Sequence, residues 1–137
     1  MTSINPSRFL RNALIVDALA CAALVVLQLS VPDMLASRLQ LPSMVLTGSG
    51  VFLAAYVVLL IVLARSKAVV KAIVGLVVAG NVGWAVGCLA LAAFAEPSGL
   101  GVAYLLAQAV FVLAIAQMEW RGLQGSPVAA ARRAAVA

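Results

Sequence analysis

Four stretches of about 20 apolar residues, in a chain of 137, leave few folds open. They cover residues 9–29, 43–64, 72–95 and 100–118. Each has the roughly 20 residues that a helix needs to cross the hydrocarbon core of a bilayer. Backbone polar groups have no water partner there, so each span must be helical. Composition points the same way. Hydrophobic residues make up 66% of the chain and charged residues 9%, against about 45–50% and 25% in soluble domains. A water-soluble fold of this length cannot hide so much apolar surface. The expected fold is an all-α membrane protein, with four transmembrane helices in an antiparallel bundle joined by short loops. Residues 1–123 form that single domain, and residues 124–137 are expected to be a flexible tail.

The breaks between spans are well marked. Pro32 and Pro42 bracket the first loop, Arg65-Ser66-Lys67 makes the second, and Glu96-Pro97-Ser98-Gly99 makes the third. Pro suits the first turn of a helix, so Pro42 and Pro97 open the second and fourth spans. Within the first loop, Met34, Leu35 and Leu39 share a helical face. Both a short interfacial helix and an irregular loop fit this stretch. Arg8 and Arg11 before an apolar run could suggest a signal peptide. The hydrophobic run continues well past Cys21, so a retained first span is the better expectation.

Eight of the nine basic residues fall on one side of these spans, with Arg38 alone on the other. By the positive-inside rule, both termini are expected in the cytoplasm. The net charge of +5 is therefore read as topological. No basic stripe interleaved with aromatics is present, and no nucleic-acid partner is expected. The expected partners are the lipid bilayer and a homo-oligomer or larger membrane complex. Histidine is absent, and Cys21 and Cys88 both lie within spans. They read as small buried hydrophobes, with neither a metal site nor a cofactor implied.

Asp17 is the chemical anomaly, a carboxyl inside the first span. Such a group costs free energy unless it meets a cavity, a partner or a proton. At 1.5 Å per residue it lies roughly 9–12 Å from the basic end of its span, Tyr56 about 12 Å, Asn81 about 14 Å and Gln108 about 15 Å. Each span thus offers one polar side chain at nearly one depth, with Trp84 one turn from Asn81. Two roles fit this intramembrane polar layer of Asp17, Tyr56, Asn81, Trp84 and Gln108. One is a hydrogen-bonded cluster that fixes helix register, and the other is a site for a proton, a cation or a ligand.

Gly75, Ala79, Gly83 and Gly87 recur at every fourth position in the third span. Such a small-residue ridge lets another helix approach closely, and packing within the monomer is expected ahead of dimerisation. No Ser/His/Asp set, phosphate-binding loop or paired carboxylates are recognisable, with Glu96 and Glu119 read at opposite membrane faces. An enzyme is not expected.

Several motifs resemble a family of small four-helix bacterial inner-membrane proteins of uncharacterised activity. They are Arg11-Asn12-Ala13-Leu14 with Asp17-Ala18, Leu41-Pro42, Gly80-Asn81 with Trp84, and Ala107-Gln108-Ala109 with Glu119 and Gly122-Leu123. The resemblance covers most of the chain and implies the bacterial inner membrane, without an activity. The size is also similar to that of small multidrug-resistance transporters, which carry an acid in the first of four helices. The loop and third-helix motifs expected there are absent, so only an architectural analogy remains. Two functions follow as expectations. The first is a non-enzymatic accessory or small ligand-binding membrane module with a polar site around Asp17. The second is a small oligomeric proton- or cation-coupled transporter that uses Asp17.

Overall fold

Each apolar run becomes one helix in the computed structural model, which describes residues 1–129. The elements are β1 (Ser3–Ile4), α1 (Arg8–Ser30), α2 (Pro32–Leu39), α3 (Ser43–Arg65), β2 (Val69–Val70), α4 (Lys71–Phe94) and α5 (Gly99–Gln124). The helices α1, α3, α4 and α5 are long and apolar enough to cross a membrane. The chain is therefore a four-helix membrane bundle with short connections.

Local chemistry sets the helix ends. Ser7 and Ser98 cap α1 and α5 with side-chain oxygens that accept from Leu10 N and Gly101 N, filling otherwise orphaned donors. Arg11 reaches across to donate to the Ala64 and Ser66 carbonyls at 3.0 and 2.9 Å, closing the end of α3. The first loop is helical. Pro32 opens α2, and Leu35 and Leu39 turn inward. The Ser98 backbone N–H donates to Leu39 O at 3.0 Å, and its hydroxyl donates to Arg38 O at 2.8 Å. These bonds tie α2 to the loop before α5.

Packing is uneven around the bundle. The pairs α1–α3, α4–α5 and α1–α5 are closely packed, whereas α3 and α4 stand apart. Two apolar cores result. One, at the basic end, gathers Leu10, Leu14, Leu60, Val74 and Leu123 around the β-strands. The other, at the opposite end, gathers Leu35, Leu46, Ala85, Leu105 and Val112 beneath α2.

The close helix approaches are not where the small-residue ridge places them. A Cβ added at Gly75, Gly83 or Gly87 would meet nothing within 4 Å, and Ala79 is exposed. The ridge therefore makes no helix contact inside the bundle, because α3 does not close against it. Contact to the backbone occurs instead at Gly122, whose added Cβ would lie 2.8 Å from Leu10 Cα. It occurs also at Gly101, under the Leu39 carbonyl of α2.

The basic end is closed by a feature that hydropathy does not signal. Ile4 pairs with Val69 in an antiparallel ribbon and bridges to Val128. Asn5 N donates to Pro127 O at 2.9 Å. The fourth helix runs to Gln124, past the expected end at 118, and residues to Val128 are held by the N-terminal segment. The start of the expected tail is thus part of the fold, and its residues 130–137 lie outside the described residues.

Candidate functional site

Between the two apolar cores lies a buried polar cluster drawn from all four long helices. Asn81 Nδ2, on α4, donates to Asp17 Oδ2 on α1 and to Glu119 Oε2 on α5, each at 3.0 Å. An amide nitrogen carries two hydrogens, so one group serves both acids. The two acceptor oxygens are therefore no farther apart than twice that distance. Tyr56, on α3, places its hydroxyl 3.3 Å from both Asp17 Oδ2 and Asn81 Oδ1, to either of which it can donate. Cys21 Sγ lies 3.5 Å from Asp17 Oδ1, one turn along α1. Asp17 and Glu119 are 0% exposed, and Glu119 Oε1 has no hydrogen-bond partner among the described residues.

Of the layer read from the sequence, Asp17, Tyr56 and Asn81 are joined directly. Gln108 and Trp84 form a neighbouring branch, in which Trp84 Nε1 donates to Gln108 Oε1 at 3.3 Å. Nearer the α2 end, Ser49 donates to Gln28 Oε1 at 3.0 Å, and Gln28 Nε2 donates to the Tyr104 hydroxyl at 2.9 Å.

Glu119 corrects the expectation that no carboxylates pair. A span ending at residue 118 leaves Glu119 at a membrane face. The helix continues for six more residues and carries the side chain inward. The signal for this lies in the spacing. Gln108, Val112, Ile115, Glu119 and Gly122 continue one helical stripe, and all five are buried. Gln28, 2% exposed, also went unassigned, although it shares the Asp17 face of α1.

The gap between α3 and α4 holds a cavity of about 400 Å³, within the roughly 300–1,000 Å³ usual for small-molecule sites. Its α4 wall includes Gly80, Gly83 and Gly87, so two of the ridge residues, Gly83 and Gly87, line a space rather than an interface. Phe52 spans the gap. Its ring stacks on Trp84 and on Tyr56, with centroids 6.3 Å apart and planes within 11° in both pairs. Beyond this stack lies a second space of about 50 Å³, lined by Cys21, Tyr56 and Asn81 among others. Phe52, Gly80 and Trp84 border both spaces. The two spaces are therefore neighbours across that shared wall. Among the described residues, no group of three or more His, Cys, Asp or Glu side chains could hold a metal ion.

No family model, curated protein or solved structure matches this chain.

Proposed function

We propose that the chain is a non-enzymatic integral membrane module that binds a small ligand in the α3–α4 cleft, with the polar site around Asp17 at its inner end. One observation carries this reading. A cavity of ligand size shares its wall of Phe52, Gly80 and Trp84 with a smaller space beside Asn81 and Tyr56. A cluster that served only to fix helix register would need no such cavity. The basic asymmetry and the family resemblance support the bacterial inner membrane, with both termini cytoplasmic. The expected partners remain the bilayer and a homo-oligomer or larger membrane complex.

The test is Asp17→Asn, which keeps the shape of the side chain and removes its charge. Lipid and small-molecule extracts of the purified chain are compared with those of the variant by mass spectrometry. Loss of a stoichiometric molecule with an unchanged melting temperature supports the site. Two clean extracts from both proteins count against it.

The Asp17–Glu119 pair favours a second reading, a small oligomeric proton- or cation-coupled transporter. Two buried carboxyls bridged by one amide offer a place to hold a proton or a cation. Exchange of that ion with a water-filled route would couple it to a passing substrate. Proton uptake by reconstituted vesicles, abolished by Asp17→Asn, separates this reading from the first.

A further inference from the structure

The α3–α4 cavity selects a ligand chemistry through four features. Among the described residues its polar lining consists of Gln28, Ser49, Trp84, Tyr104 and Gln108, with no charged side chain. A charged headgroup would lose its hydration there and meet no counter-charge. The occupant is therefore neutral.

Gln108 fixes the second requirement. An indole nitrogen only donates, so its bond from Trp84 pins Gln108 Oε1 as the acceptor. The amide nitrogen then points away with two hydrogens. At least one hydrogen remains for a ligand, which must present an acceptor such as a carbonyl oxygen.

The walls supply the other two features. Trp84 extends a flat, stacked aromatic surface. Beside it, nothing lies within 4 Å of the Cβ positions of Gly80, Gly83 and Gly87, which leaves α4 backbone open to a planar group. The cleft also opens sideways, because the α3 and α4 backbones stand apart, and Phe52 at its rim is exposed. In a membrane that opening faces lipid tails.

We propose that this cleft binds a lipid with the chemistry of an isoprenoid quinone. Its neutral planar ring lies against Trp84 and the α4 glycines, a ring carbonyl accepts from Gln108 Nε2, and the apolar tail leaves through the lateral opening. This assignment rests on the cleft being the ligand site of the function proposed above.

The test uses the full chain carrying Trp120→Phe, which leaves Trp84 as the one tryptophan. The protein is placed in phosphatidylcholine nanodiscs and titrated with a benzoquinone bearing one isoprene unit. Trp84 fluorescence should be quenched saturably, at about one quinone per chain. Gln108→Leu should weaken binding roughly tenfold, the scale of one lost hydrogen bond. Gly83→Leu should abolish saturation while keeping the parent's helix content and at least its melting temperature, since its site is open space. Dioleoylglycerol, a neutral carbonyl lipid without a ring, should not compete. Linear quenching that is equal in all three proteins overturns the assignment, and so does displacement by dioleoylglycerol. If quinone fails while extracts of the purified chain hold another stoichiometric molecule that Gly83→Leu expels, the quinone assignment falls and the cleft stands. If Gly83→Leu expels nothing and quinone fails, both fall.

Discussion

Asn81 on α4 holds Asp17 and Glu119 with a single amide nitrogen, 3.0 Å from an oxygen of each acid. Helices α1, α4 and α5 therefore meet at one group. Removing that group should cost more than neutralising either acid. Asn81→Leu strips a donor from two buried acceptors, at about 1–3 kcal/mol for each unsatisfied group. Its melting temperature in mild detergent should fall well below the parent's. A melt that matches the parent would mean that water or lipid replaces the amide.

The two acids should behave as a unit. Asp17→Asn or Glu119→Gln replaces one of two adjoining buried acids with an amide that still hydrogen-bonds, so each variant should keep or gain stability. The double variant should depart from additivity by about 0.5–3 kcal/mol, as contacting residues do. Additive melting shifts would indicate that the carboxyls do not act on each other.

Two glycines on neighbouring helices should respond in opposite ways. Gly122→Ala drives a methyl to 2.8 Å from Leu10 Cα, overpacking that costs about 1–3 kcal/mol. Gly83→Ala meets nothing within 4 Å and replaces a poor helix former with a good one, a gain of up to about 1 kcal/mol. Thermal unfolding in detergent ranks the pair, and equal shifts would be inconsistent with this packing.

The strand cap at the basic end should be sensitive to charge. Ile4 is 1% exposed and pairs with both Val69 and Val128. Ile4→Asp buries an unpaired carboxylate and should release the segment after Gln124 to protease. Limited proteolysis followed by intact mass reads this directly, and a cleavage pattern unchanged from the parent would remove the cap from the account.

Reporter fusions at the C-terminus should report from the cytoplasm, given that eight of nine basic residues lie on one side. Activity on the far side of the membrane would reverse the orientation.

The spans were legible because lipid imposes a length and a polarity, and prolines, glycines and charges punctuate them. Asp17, Tyr56 and Asn81 were legible together because helical rise turns sequence position into depth. Glu119 was not, because hydropathy ends a span at the first charge even where the helix continues inward. The role of Gly83 and Gly87 was also hidden. Small residues at helical spacing permit close approach, but the spacing says nothing of whether a helix or an empty space lies opposite. The cap escaped notice because two-residue strands carry no periodic signal.

That cap has a consequence for biogenesis. Ile4 is synthesised before the first span, and its partner Val128 follows only after the fourth span has been made. The clasp between the two ends therefore closes after all four spans have been delivered to the membrane. A chain that stalls during synthesis would lack it, which gives the quality-control machinery an exposed apolar strand to recognise.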